Sequence, residues 1–127
     1  MPLPVDQTGQ GFDPFNAECP SRQVLDLIAD KWSVLVLSAV VDGYRRNGAL
    51  LRRVQGISQK ALTRTLRALE RNGLISRHDH RSVPPHVDYD ATPLGASIRP
   101  LLGELCAWAI AHMDEVHQAR AHFTSQN

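Results

Sequence analysis

Three groups of side chains in this sequence have the types and spacing to do chemistry. The first is cationic: Lys60, Arg64, Arg67 and Arg71 recur at intervals of three and four residues. On a helix, at roughly 100° per residue, they fall at about 160°, 200°, 140° and 180° from Leu62, whereas Leu66, Leu69 and Gly73 stay within about 40° of it. That stripe holds two like-charge pairs at i, i+4, each unfavourable by about 0.2–0.5 kcal/mol. A helix that only had to be soluble would gain more from mixed charges, so the stripe reads as a surface for a polyanion; a solvated basic face is the plainer alternative. The second group is Cys19, placed before Pro20 at a helix start, where unpaired N–H groups and the helix dipole favour a thiolate. Arg22 one turn on would add to that field and Glu18 would oppose it; the plainer role is a small residue buried at a cap. The third group is His78 and His80 on one strand face, with His86 and Asp88 across a turn. Zinc accepts such ligands, but exposed histidines lying beside phosphate are the simpler account, so neither a metal nor another cofactor is expected.

Catalysis is not expected. A nucleophilic Cys19 needs a base within hydrogen-bond reach, and no histidine lies near it in sequence. Gly-rich phosphate loops, paired zinc-protease histidines and a G-x-S-x-G elbow are missing. Cys106 sits among Leu102 and Leu105, where inert packing is the expectation.

The elements that must position these groups follow from composition and pattern. With 127 residues, 43% hydrophobic and 21% charged, the chain has the makings of one folded domain and not of a disordered polymer. Its longest apolar stretch, Val34 to Val41, is too short to cross a bilayer, and the start lacks the pattern of a signal peptide, so a cytoplasmic protein with no membrane partner is expected. Two cysteines cannot build a four-thiolate zinc site, and a reducing compartment argues against a structural disulfide. The net charge of +1 averages two unlike regions. Residues 45–81 carry ten basic side chains against Glu70 and Asp79, a net of +8; the remainder has four basic and eleven acidic residues, a net of −7. Such segregation is a footprint of polyanion binding by one part of a protein.

Residues 1–16, with prolines and glycines and no apolar period, read as a flexible arm; residues 17–123 form a single domain and 124–127 a tail. Val24, Leu27 and Ile28 mark a first helix from Ser21. A second, Trp32 to Val41, is apolar nearly all round and must be central. Leu50, Leu51 and Val54 mark a short third helix stopped at Gly56. Ser58 caps a fourth running to about Asn72, with Gly73 just beyond it. Leu74 to Arg81 and Val87 to Thr92 flank the turn Ser82-Val83-Pro84-Pro85 as a two-stranded hairpin. Thr92-Pro93 opens a long last helix with Leu94, Ile98, Leu101, Leu105, Ala109 and Met113 on one face and a kink at Pro100. The fold class is mainly α (α+β): a winged helix-turn-helix with a β-hairpin wing and flanking dimerisation helices.

The ordered series Cys19-Pro20, Asp26-Leu27-Ile28, Lys31-Trp32, Arg45-Arg46-Asn47-Gly48, Gly56-Ile57-Ser58, Leu62-Thr63, Leu66, Leu69-Glu70, Gly73-Leu74, Val83-Pro84-Pro85, Val87-Asp88-Tyr89, Leu94-Gly95 and Trp108 resembles the HxlR family of bacterial regulators. It departs at Asn47, where an aromatic residue is usual, and at Gln55, where proline is frequent. The resemblance implies a dimeric winged-helix protein of MarR-like architecture, joined through its terminal helices. Its partners would be near-palindromic double-stranded operator DNA and a second copy of itself, most often acting in repression. In several members the cysteine matching Cys19 senses oxidants or electrophiles. The expected DNA contacts are Gln59, Lys60, Thr63 and Arg64 at base edges or nearby phosphates, Arg67 and Arg71 on the backbone, and Arg77, His78 and Arg81 from the wing. Arg45, Arg46 and Ser58 complete the set. A metal-responsive winged-helix regulator and a dimerising adaptor that does not bind DNA are the alternatives.

Overall fold

In the computed structural model, which describes residue 11 and residues 13–126, the chain runs α1 (Pro20–Ala29), α2 (Lys31–Val41), α3 (Asn47–Arg53), α4 (Gln59–Arg71), β1 (Ile75–Asp79), β2 (Val87–Ala91), α5 (Pro93–Ser97), α6 (Arg99–Ala111) and α7 (Met113–Gln126). Three helix starts are set by side-chain oxygens that accept otherwise unpaired backbone N–H groups. Asp30 takes the amide of Ser33 in α2, Ser58 that of Ala61 in α4, and Thr92 that of Gly95 in α5.

The core lies where the apolar sequence of α2 requires it, between the helix-turn-helix and the C-terminal helices. Val36, Leu37 and Val40 of α2 are buried with Leu50 of α3, Leu62, Leu66 and Leu69 of α4, Ile75 of β1 and Leu102 of α6. Fully burying one such side chain contributes about 1.5–3 kcal/mol, so this cluster fixes how α4 sits on α2.

The hairpin is antiparallel, with Ile75 opposite Ala91 and Asp79 opposite Val87. Residues paired in register share a face. Ile75, Tyr89 and Ala91 turn inward to the core, while Ser76, His78, Asp88 and Asp90 lie on the other face. A further backbone bond, His80 N–H to the His86 carbonyl at 2.9 Å, carries that polar face outward. The Tyr89 amide donates to the Arg45 carbonyl at 2.7 Å, tying the loop before α3 to the wing.

Gly95 marks a close crossing. A Cβ on it would stand 1.9 Å from the Leu74 carbonyl oxygen. The α5 start is pressed there by Thr92, whose hydroxyl donates to the Gly73 carbonyl at 2.6 Å and whose amide donates to the Leu74 carbonyl at 3.1 Å.

The C-terminal region differs from the single kinked helix expected of its sequence. It is three segments, broken at Ile98 and at His112. Pro100 has no N–H to give the preceding turn, so it stands at the start of α6 and the break falls two residues upstream of it. At the second break the His112 ring donates its Nδ1–H to the Trp108 carbonyl at 2.9 Å and stacks on that indole. Most of the expected apolar stripe is also turned outward: Leu94, Leu101, Leu105, Ala109 and Met113 are exposed, whereas Ile98 packs on the core and Leu102 is the buried residue of α6. Residues 124–126, read as a tail, continue α7. Of the flexible arm expected over 1–16, residues 1–10 and 12 lie outside the described residues, and residues 14–17 form turns and a bend. Among the described residues no helix is long and apolar enough to cross a membrane.

Candidate nucleic-acid interface

The fourth helix carries its two stripes as its periodicity requires. Leu62, Thr65, Leu66 and Leu69 are buried, whereas Lys60, Thr63, Arg64, Arg67 and Arg71 are exposed on the opposite side. Among the described residues none of the four cations makes an ion pair, although Arg22, Arg45, Arg46, Arg77 and Arg99 all do. Their charges therefore face solvent without an ion-pair partner. Lys60, Thr63, Arg64 and Arg67 line one shallow depression, and Thr63 and Arg67 share a polar cleft with Arg77 and Tyr89 of the wing. Glu70 is the acidic member of that cleft.

Gln59 is less free than its sequence position suggests. Its Nε2 donates to Asn47 Oδ1 at 2.9 Å and to Thr63 Oγ1 at 3.0 Å, and its Oε1 accepts from Asn47 Nδ2 at 2.7 Å. Asn47 was not among the expected site residues. The one signal for it was the polar amide standing where an aromatic side chain is usual. Ser58 faces the helix backbone as a cap, through its 3.0 Å bond with the Ala61 amide.

The cations expected around the wing divide into two kinds. Arg45 is held by Asp90 at 2.7 Å, and His78 lies 3.6 Å from the same carboxylate oxygen. Arg46 approaches Asp88 at 3.4 Å and the His86 ring at 2.5 Å. Two aspartates of β2 thus fasten the loop before α3 to the wing. These pairs are solvent-exposed on the arginine side and each contributes about 0–1 kcal/mol, so a phosphate could replace either carboxylate. Arg77 is 4.0 Å from Asp79. Arg81 has no ion pair among the described residues; it turns the chain at φ 50°, with its amide donating to Asp79 Oδ1 at 2.9 Å.

The third group of chemically able residues is regrouped. His80 Nε2 is 3.0 Å from Asp88 Oδ2 and His86 Nε2 is 2.9 Å from Asp88 Oδ1, with the two rings 4.2 Å apart. His78 points instead to Asp90 and to Ser76. Hydrogen bonds from His80 and then His86 hold the Asp88 carboxyl down to about 2.

Cys19 is half-buried at the start of α1. Its Sγ lies 3.1 Å from the Ser21 hydroxyl and accepts the Asp13 amide at 3.3 Å. These bonds, Ser21 first, lower the thiol pKa below its ordinary value against desolvation. The expected help from Arg22 is absent: its guanidinium turns to the Pro14 carbonyl at 3.3 Å and to Asp26 at 3.7 Å. Cys106 also departs from expectation. It is exposed, facing a groove with Leu35, Ala39, Arg53 and Val54, because α6 beyond Leu102 has no core of its own chain to enter.

Residues 27–117 match the HxlR-like helix-turn-helix family. Among individual proteins, the chain is 39% identical over 106 residues to the uncharacterized HTH-type transcriptional regulator YtfH of Escherichia coli (strain K12), covering 84% of each chain. It is similar in structure to the transcriptional regulator ytfH from Salmonella typhimurium, with a TM-score of 0.79 and 37% identity over 87% of this chain and 98% of that one. The redox regulator HypR in its reduced form superposes with a TM-score of 0.71 and 30% identity, over 78% of this chain and 98% of that one.

Proposed function

From its membership of the HxlR-like helix-turn-helix family, to which this chain belongs, we propose that this transcriptional regulator acts as a homodimer that occupies a near-palindromic operator and represses transcription. The observation that carries the reading is the unpaired cationic face of α4, set opposite a fully buried face and beside the wing. A recognition helix needs this arrangement: apolar contacts fix its orientation while arginine forks and a lysine reach base edges and phosphates. Lys60, Thr63 and Arg64, near the N-terminal turn, face the bases; Arg67 and Arg71 hold backbone, and Arg77 and Arg81 bind phosphates flanking the wing. Arg45, Arg46 and His78 join only where phosphate displaces Asp88 or Asp90.

The dimer is formed by the terminal helices. Val24 and Leu25 of α1, Leu101, Leu105 and Trp108 of α6 and Met113 of α7 are exposed apolar side chains that lie outside their own chain's core. Apolar surface on that scale is a protein-contact surface. Pairing it places two α4 helices roughly 34 Å apart, one turn of B-DNA. Cys19 acts as the redox or electrophile sensor: it opens α1, the helix that also supplies Val24 and Leu25, so a modified thiol displaces part of the dimer face. Likeness to the redox regulator HypR supports this role.

In vitro selection from random duplex DNA, run with reduced and with diamide-treated protein, tests the proposal. A motif of two half-sites that is lost on oxidation is expected. A duplex-binding protein that enriches no sequence in the reduced state is incompatible with operator recognition, and one that binds no duplex fits the dimerising adaptor instead. Oxidation sensitivity retained in Cys19→Ser removes the sensor role alone.

A further inference from the structure

We propose that His80, His86 and Asp88 form a site for a divalent cation of the zinc class at the mouth of the wing hairpin, and that the Arg46 guanidinium stands in for that cation when none is bound. The three side chains come from both strands' outer ends, and the His80–His86 backbone bond of 2.9 Å holds them in register. One ligand atom from each lies within 4.8 Å of the others. His80 Nε2 stands 3.0 Å from Asp88 Oδ2 and His86 Nε2 2.9 Å from Oδ1, so the carboxylate lies between the two imidazoles, and small side-chain rotations would bring one ligand atom of each to the roughly 3.3 Å edges of a zinc tetrahedron.

Two imidazoles and one carboxylate suit zinc, and a water would complete the tetrahedron. The Asp88 side chain is only 15% exposed, while its two histidine partners are reachable from solvent, so the carboxylate forms the floor and the imidazoles the rim. Arg46 supports the cation reading. A long cationic side chain, 61% exposed, bends back to this cluster and places its Nη2 2.5 Å from His86 Nε2 and its Nε 3.4 Å from Asp88 Oδ1. A carboxylate that attracts a guanidinium also attracts a metal ion, and the two imidazoles, which donate Nε2–H to Asp88 here, become ligands once that proton is given up. Because the two cations compete for one place, metal binding releases Arg46 from the wing. His78, bound to Asp90, stands outside the site.

The test is titration of zinc into the full chain, stripped with chelator, at about pH 7.5, followed by calorimetry and paralleled by the visible spectrum of added cobalt(II). The wild type is expected to take one zinc per chain and to give cobalt the strong absorption of tetrahedral coordination. His86→Ala and Asp88→Asn should each weaken binding by at least about 100-fold, more than the loss of an outer-shell partner costs. His78→Ala should bind as the wild type does. Arg46→Ala should bind zinc more tightly, since its competitor is gone. Absence of zinc uptake by the wild type, or uptake unchanged in both ligand variants, overturns the site; weaker binding in Arg46→Ala overturns the stand-in role. No DNA enters the measurement, so its outcome is independent of the operator-binding proposal.

Discussion

Asn47 and Gln59 exchange two side-chain hydrogen bonds, at 2.7 and 2.9 Å, and so couple the first turn of α3 to the first turn of α4. Gln59 then spends its remaining amide hydrogen on Thr63. Any base contact by Gln59 is therefore set by its neighbour. Asn47→Ala and Gln59→Ala should change base preference at the same operator position, and the double variant should be non-additive by about 0.5–3 kcal/mol, the range for residues in one network. Binding of the four proteins to a panel of single-base operator variants measures this; additive effects at different positions would show that Asn47 does not set the Gln59 contact.

Arg64 and Arg45 should behave differently although both are exposed arginines of the basic segment. Arg64→Ala should weaken operator binding and reduce the slope of log affinity against log salt by about 0.9 for each phosphate that is no longer neutralised. Arg45→Ala should alter both less, because Asp90 already holds that guanidinium at 2.7 Å. Fluorescence anisotropy across a salt series separates them, and equal slopes for the two variants would contradict the division.

Gly95→Ala should destabilise the fold. The added methyl would stand 1.9 Å from the Leu74 carbonyl oxygen, against backbone that cannot swing aside as a side chain does. Overpacking of this kind costs about 1–3 kcal/mol, and thermal unfolding should begin several degrees lower. An unchanged melting temperature would mean that α5 does not press on the turn after α4.

The Cys19 thiol should depend on Ser21 more than on Arg22. In a Cys106→Ser background, where Cys19 alone titrates, Ser21→Ala should raise the thiol pKa by removing the bond at 3.1 Å. Arg22→Ala should leave it in place, since that guanidinium serves Pro14 and Asp26. Thiolate ultraviolet absorbance against pH reads both, and the opposite ranking would return control to the arginine.

Asp88 should give the wing a distinct acid response. Its carboxyl is lowered from 3.8 to about 2 on folding, so the folded state favours the ionised form. The resulting stabilisation is complete above the unfolded value and disappears as pH falls through about 2. Wild type should lose stability relative to Asp88→Asn between about pH 5 and pH 2 and run parallel to it above. Urea midpoints for the two proteins across that range test the sign; a gap that widens toward acid would reverse it.

The elements from α1 to the start of α5, and the two faces of α4, were legible in the sequence because they rest on local chemistry. A capping Ser58, Thr92 before Pro93, and Leu62, Leu66 and Leu69 at helical spacing act within one or two turns, so their consequences can be read without knowing the rest of the chain. The ordered series of motifs likewise identified the family that residues 27–117 match. What the sequence could not decide was which of several able partners each polar side chain would meet. Arg22 could have faced Cys19 and instead turns to Pro14 and Asp26; His78 could have joined His80 and instead joins Asp90. Those outcomes depend on strand register and on how closely the loop before α3 approaches β2, distances set by packing between residues some forty positions apart. The outward turn of Leu101 and Leu105 has the same origin. Periodicity shows that a helix has an apolar face, but only the filled volume around Leu102 determines which side is left for another chain.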